Sequence, residues 1–410
     1  MGGAPVRFEE PANDVRHLVE LADRRLALMP EVAAWKAERK QPVADPTREQ
    51  EVLKRWTEDA AAVGLAAAPA REFLDCQIAL ARAVQEACLA RWASGRDSPP
   101  RARDLTTELR PRLDALAAEF LPAAWLAATA NTAGAAPDWR SAFAGLGRYA
   151  GVDETVLDRL ARAAGALALA ADPTWSSVRR LGVLRVGATG DYPPFSSDAG
   201  GELRGLDVSL AQALARHWGV RLLFVRTSWP TLLEDLERRR FEIAWTGITI
   251  TDERSRRAQF STAYFEDGKT PIVRCAEAER YSSLDRIDRP GVRVIVNPGG
   301  TNERFVRTQI RQATVLVHPD NRTIFGEIVA GRADVMFTDG IEVRLQRQVH
   351  PALCGAMAEP LTRAGKAVLV PQNSDLAPRI DAWLAPQVAD GRIATLLEAA
   401  VREAVTAARR

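Results

Sequence analysis

Apolar residues recur at intervals of three and four along the first 170 or so positions, the period of helices that bury one face. LVELADRRLALMPEVAAWK (18–36) shows it first, and Pro42 and Pro46 then bracket a break around Asp45. A second run, TREQEVLKRWTEDAAAVG, stops at Gly64, a plausible glycine just past a helix end. A third runs from Pro69 to about Arg91; after SGRDSPP a fourth extends from Asp104 to about Asn131, followed by a shorter helical tail. DPTW (172–175) reads as a linker. From Leu184 the pattern changes. Strand-like LRVGATG is followed by a helix closing on Gly219, then the strand RLLFVRTSW, the helix TLLEDLERRR and the strand FEIAWTGITIT. VRVIVNPGGTNERF, TVLVHP, TIFGEIVAGRAD and VMFTDGIEVRLQ continue the alternation, which predicts βαβ units and parallel sheets. The expected architecture is multidomain: an all-α bundle over 10–170, a linker over 171–183 and an α/β domain over 184–410.

Length agrees with this division, since 410 residues exceed what one hydrophobic core serves. A net charge of +2 leaves no electrostatic footprint for nucleic acid. Arginine supplies nearly all cations. The lysines are Lys36, Lys40, Lys54, Lys269 and Lys366, so each merits inspection as a compact point charge. No apolar stretch long enough to cross a bilayer is expected, hence no membrane insertion. The start, MGGAPVRFEEPAND, lacks the apolar segment of a signal peptide, leaving a cytosolic protein or an exported one whose signal has been replaced by Met. Cys76 and Cys88 lie ~18 Å apart on one predicted helix and cannot pair with each other, whereas Cys275 and Cys354 are free to.

Three loops after strands concentrate glycine and polar residues: TGDYPPF, NPGGTNER and TDGIE. Ligands of open α/β sheets bind at the carboxyl ends of strands, and a helix opening such as NPGGTNER offers free N–H groups to an anion. With Arg254 and Lys269 nearby in sequence pattern, the implied ligand is a small organic anion.

These segments, above all DGKTP, NPGGTNE and HPDN, resemble the cyclohexadienyl dehydratases, periplasmic enzymes on the two-lobed type II solute-binding-protein fold. The resemblance implies lobe 1 at about 184–272 and 366–410, lobe 2 at about 276–362, and a site between them. It implies decarboxylative dehydration of prephenate to phenylpyruvate, and of arogenate to phenylalanine. Loss of hydroxyl and ring carboxylate aromatises the ring, so the protein need only supply an acid and carboxylate anchors. Glu342 is then the general acid, kept protonated in an apolar cleft that Trp229 and Trp245 help dry. Asp339 matches the position at which amino-acid-binding relatives hold an ammonium, and Arg254 their carboxylate-binding arginine. Asn297, Gly300, Thr301 and Asn302 supply hydrogen bonds, Lys269 and Thr249 complete the clamp, and Asp191, Tyr192 and Trp229 form the first-lobe wall. Cys275 and Cys354 match a family cysteine pair, implying a disulfide and export. Gly365 and Val368 stand where the family usually has an acid and an aromatic residue, and Trp245 replaces a methionine.

The helical half, through LVELADRRLALMPEVAAWK, PVADPTREQEVL and DCQIALARAVQEACLARW, resembles the secreted AroQ chorismate mutases. That rearrangement needs no nucleophile or metal. The protein holds the substrate by its carboxylates and places donors at the ether oxygen as charge develops. The resemblance gives Arg25 and Arg48 the carboxylates, Lys36 and Gln85 the ether oxygen, and Asp45 a hydroxyl or neighbouring cation. Ala81 replaces an Asn or Thr, and Glu119 falls where a further arginine belongs, with Arg82 or Arg112 as compensating candidates. The expectation is an active, if weakened, mutase. Together the halves read as a bifunctional enzyme without cofactor or metal, acting on chorismate, prephenate and arogenate, exported, and by analogy a homodimer. Alternatives are a dehydratase carrying a degenerate mutase domain, and an amino-acid-binding protein.

Overall fold

The computed structural model describes residues 6–8, 11–132, 136–170 and 174–409, and the chain divides into two compact units. One is Glu10–Val183; the other is Leu184–Arg410 with the N-terminal segment Met1–Glu9.

The first unit is a bundle of helices Pro11–Ala27, Met29–Glu38, Pro46–Ala62, Ala67–Ala93, Arg110–Ala130 and Glu154–Gly165. The first packs on the fifth, and the second, third and sixth pack on the fourth. Asp45 caps helix Pro46–Ala62 by accepting from the Arg48 N–H at 3.2 Å. Gly64 ends the run past Val63 with φ +88°, a conformation that favours glycine. A π-turn over Leu105–Leu109, started by Asp104, feeds the fifth helix. Leu105–Ala130 is, by length and composition, long and apolar enough to cross a membrane, contrary to expectation. Its apolar residues 123–130 are buried in the bundle, and this is a core helix.

The expected linker 171–183 contains a packed helix, Trp175–Leu181, with a Thr174/Ser177 capping box at one end and Gly182 at φ +65° at the other. Arg180 pairs with Asp59 of the third helix, which the local composition of DPTW did not disclose. Phe8 bridges Phe224 in parallel, so the start of the chain joins the α/β unit although it precedes the helical one in sequence.

The α/β unit contains two five-stranded sheets. In the first, the order is Arg221–Arg226, Val183–Ala188, Ile243–Ala244, Leu369–Pro371 and Ala258–Phe260. In the second it is Thr314–Val317, Arg293–Val296, Val335–Asp339, Lys269–Arg274 and Leu353–Gly355. Of the expected strand FEIAWTGITIT, only Ile243–Ala244 pairs in the sheet. Each sheet buries aliphatic and aromatic side chains on its helices, for example Val294, Val335 and Phe337 in the second. Phe265–Asp267 and Ala364–Lys366 pair antiparallel and carry the chain between lobes in both directions. The expected lobe limits at 272 and 276 therefore need correction, whereas those at 362 and 366 bracket the returning strand Ala364–Lys366. Lys269–Arg274 already belongs to the second sheet, antiparallel to Val335–Asp339, so the crossing occurs before Lys269. Cys275 and Cys354 are disulfide-bonded, and Cys76 and Cys88 are free thiols on helix Ala67–Ala93.

The departure at Gly365 has a packing explanation. A Cβ there would lie 2.6 Å from the Ala263 Cβ and 3.3 Å from Ile250 Cδ1. Gly365→Ala is accordingly expected to destabilise the chain by roughly 1–3 kcal/mol in urea denaturation, the range for overpacking a tight site; an unchanged midpoint would refute that account.

Candidate active sites

In the interlobe cleft, strand Val335–Asp339 delivers Asp339 at its carboxyl end, and helix Gly340–Val349 starts there. Asp267, from a crossover strand, caps that helix by accepting from the N–H groups of Gly340 (3.0 Å) and Ile341 (2.9 Å). Asp339 is buried and accepts from Lys269 Nζ at 2.7 Å, from Lys366 Nζ and from the Tyr192 hydroxyl. Burial alone would raise its pKa; the Lys269 and Lys366 ammonium groups override that and hold it well below the usual carboxylate range. Burial in turn lowers the pKa of Lys269, against the opposing pull of Asp339.

Glu342, one turn into the helix, is 1% exposed and accepts from the Thr338 hydroxyl. Burial, reinforced by the charge of Asp339, pushes its pKa up to about 8, although Thr338, Lys269 and Lys366 act to lower it. A carboxyl in the first turn of an exposed helix would prefer to ionise; here desolvation wins. Two carboxyls three residues apart thus hold opposite protonation states near neutrality. The difference is that Asp339 touches both lysines and Glu342 touches a hydroxyl.

A small cavity of about 30 Å³ lies beside Asp339. The predicted Tyr192, Trp229, Thr249, Arg254, Asn297, Gly300, Thr301 and Asn302 line it. Lys269, Asp191 and Glu342 stand behind this lining: Lys269 donates to Asn302, and Asp191 accepts from Trp229 Nε1 at 3.2 Å. Burial raises the Asp191 pKa and lowers that of Arg254 to about 10. Arg254 is tethered through Nη1 to the Thr249 carbonyl at 2.9 Å. Trp245 is not a cleft wall. It is fully buried against Tyr264 and Trp383, ring centroids 6.1 and 6.4 Å away.

Lys366, Asn321 and Gly247 line the cleft but escaped the sequence reading. Lys366 donates to Asp339, to Thr249 Oγ1 at 2.9 Å and to Tyr192 at 3.2 Å. Asn321 reaches across to the Asp191 carbonyl at 2.9 Å. The scarcity of lysine was the available signal for the first.

In the helical unit, Arg25, Lys36, Asp45, Arg48 and Gln85 all line one cavity of about 470 Å³, within the range of small-molecule sites. Arg25 donates to the Gln77 carbonyl at 2.5 Å, and burial brings its pKa down to about 10. Lys36 donates to the Val43 carbonyl at 2.6 Å. Burial lowers its pKa, while Asp45 and Glu49 favour its charge. Gln85 Nε2 donates to the Ala81 carbonyl at 3.1 Å.

The expected register at Glu119 is incorrect. Glu119 lies outside the cavity, half exposed, paired with Arg24 at 3.3 Å. The cation that the fifth helix turns to the cavity is Arg110, nine residues earlier, joined by Arg82, whereas Arg112 is exposed and outside. Counting the lining side chains, Arg25, Lys36, Arg48, Arg82 and Arg110 outnumber Asp45, Glu49 and Asp114, which suits a dianion. Glu49 and Arg110 were missed because a single charged residue on an amphipathic helix looks solvated until its neighbours are known.

Residues 184–402 match the model of the bacterial extracellular solute-binding proteins, family 3, and residues 16–86 that of chorismate mutase type II. The chain is 49% identical to cyclohexadienyl dehydratase of Pseudomonas aeruginosa over 228 residues, covering 55% of this chain and 85% of the relative. It is 29% identical to the L-cystine-binding protein TcyJ of Escherichia coli K12 over 226 residues, 54% of this chain and 84% of the relative. Among solved structures, an ancestral amino-acid-binding protein described as a precursor of cyclohexadienyl dehydratase matches with TM-score 0.50 and 31% identity. That match covers 54% of this chain and 96% of the other.

The protonation state of Glu342 has a thermodynamic signature. The native chain retains a proton that the unfolded chain releases above about pH 4.5, so this position loses stability as pH rises from there to about 8. Glu342→Gln cannot ionise. It is expected to match the parent near pH 4 and exceed it by ~1–4 kcal/mol at pH 8 in urea denaturation. Parallel stability curves would mean the carboxyl is ionised in the fold.

Proposed function

The chain belongs to the bacterial extracellular solute-binding proteins of family 3, among the cyclohexadienyl dehydratases, with a type II chorismate mutase domain alongside; on this footing we propose that its two sites run consecutive reactions. The helical unit rearranges chorismate to prephenate. The α/β unit removes water and carbon dioxide from prephenate to give phenylpyruvate, and acts likewise on arogenate to give phenylalanine. One arrangement carries the dehydratase reading above all: Glu342, buried just behind the cleft lining and held only by a hydroxyl, keeps its proton, while Asp339, held between two lysines, does not. A binding protein has no use for a carboxyl kept protonated at neutral pH, whereas a departing ring hydroxyl needs such a proton.

In the mutase site, Arg25, Arg48 and Arg110 anchor the two carboxylates, and Lys36 with Gln85 faces the ether oxygen. Charge develops on that oxygen only as the bond breaks, so a compact ammonium there stabilises the transition state more than the bound substrate. In the cleft, Arg254 and the polar residues of the NPGGTN turn take a carboxylate. Lys269 and Lys366, with Asp339 between them, leave the wall net positive towards a dianion. Glu342 protonates the leaving hydroxyl as the ring carboxylate is lost and the ring aromatises. A cavity of about 30 Å³ is too small for that substrate. Entry therefore requires the lobes to part at the paired strands Phe265–Asp267 and Ala364–Lys366, and closure dries the acid. The family's extracellular setting suits the Cys275–Cys354 disulfide.

The test is one assay on chorismate with product identification. The parent is expected to consume chorismate and release phenylpyruvate. Glu342→Gln should stop at prephenate, and Lys36→Ala should lose chorismate consumption while sparing prephenate turnover. Dehydration by the parent should decline as pH rises through about 8, where the acid ionises. Unaltered phenylpyruvate output from Glu342→Gln would remove Glu342 as the acid, and equal loss of both activities in Lys36→Ala would contradict separate sites.

A further inference from the structure

Helix Ala67–Ala93 turns Gln77, Ala81 and Gln85 to the mutase cavity at successive steps of four, so the three stack along one face. Gln77 is 1% exposed and lines the cavity, yet neither its side-chain Nε2 nor Oε1 has a hydrogen-bond partner among the described residues. An amide taken out of water and left unpaired is costly, and such groups in native folds usually have a partner. The main chain of the same residue is engaged: Arg25 donates to its carbonyl at 2.5 Å. Gln77 therefore places an uncommitted amide beside the backbone anchor of a carboxylate-binding arginine. One turn along, Ala81 offers only a methyl group to the cavity.

We propose that Gln77 is a substrate-binding residue of the mutase site, its Nε2 donating to a chorismate carboxylate and supplying the hydrogen bond that Ala81 cannot. The assignment rests on the mutase reading above. A neutral amide can serve either as donor to a carboxylate or as acceptor from a hydroxyl. Among arginines that already surround the cavity, the carboxylate is the group drawn to this end. The bond forms in ground state and transition state alike, so its loss appears in KM more than in kcat.

The experiment uses the full chain with chorismate as the probe. Gln77→Leu is expected to raise KM for chorismate roughly 10- to 100-fold, the range for losing a hydrogen bond to a charged group, with kcat changed only a few-fold. Turnover of prephenate should be untouched, and Tm should hold or rise because an unpaired buried amide has been replaced by an apolar side chain. Ala81→Asn in the Gln77→Leu background should recover most of the lost affinity by returning a donor one turn along. If Gln77→Leu fails to fold, the near-isosteric Gln77→Glu carries the test: KM should rise at neutral pH and recover on acidification, when the carboxyl again presents a donor. A parent that consumes no chorismate would overturn the mutase reading itself. A parent that does, with Gln77→Leu or Gln77→Glu within about two-fold of it in KM, would overturn the role of Gln77 alone, as would failure of Ala81→Asn to rescue.

Discussion

The dehydratase cleft depends on a carboxylate held between two lysines. Asp339 accepts from Lys269 and Lys366, and Tyr192 closes the set, all buried. Removing Asp339 would leave both ammonium groups without their carboxylate in a low-dielectric site, which costs more than the pairs themselves contribute. The set also reaches across the hinge. Lys269 begins the second lobe's inner strand, Lys366 ends the returning crossover, and Tyr192 comes from the first lobe. Geometry of the cleft and position of the lobes are thus fixed by the same few contacts. Glu342 owes its proton partly to this arrangement, since the charge of Asp339 opposes a second negative charge nearby.

The helical site works with different means. Its catalytic demand is electrostatic and conformational, with no proton to be transferred, and the bundle answers with cations spread over five helices around one cavity. Three of them are oriented by a main-chain or carboxylate contact: Arg25 on the Gln77 carbonyl, Lys36 on that of Val43, Arg82 on Glu49. Such fixed donors require little rearrangement when charge moves within the substrate. On the reading proposed above, the product of the one site is the substrate of the other, and each site gathers cations for a ligand carrying two carboxylates.

Much of this was legible in the chain. The switch of period near Leu184, the helix stops at Gly64 and Gly219, and the three glycine-rich loops are local properties, written in residue order. Arg25, Lys36, Asp45, Arg48 and Gln85 are spread over four helices, and only the resemblance of the helical half to the chorismate mutases grouped them before the fold brought them to one cavity. Errors arose where a residue's meaning depends on a distant segment. Glu119 and Arg110 lie on one helix, and only the packing of that helix decides that the arginine faces inward and the glutamate meets Arg24. The resemblance gave Trp245 a place beside the cleft, but Tyr264 and Trp383 claim it for the core.

The order of residues by itself determined the two architectures, the strand-end loops that hold the cleft and the kinds of side chain available for chemistry, because periodicity and turn propensity act over a few positions. Only the tertiary structure decided which charges survive burial. Asp339 and Glu342 are the same functional group three residues apart, and nothing local separates them. Lys366, brought in from the far end of the second crossover, and Lys269 from the first, ionise one; the absence of any such contact leaves desolvation to neutralise the other. Coulombic partners act through space and strengthen as water is excluded, so their assignment follows the fold rather than the chain.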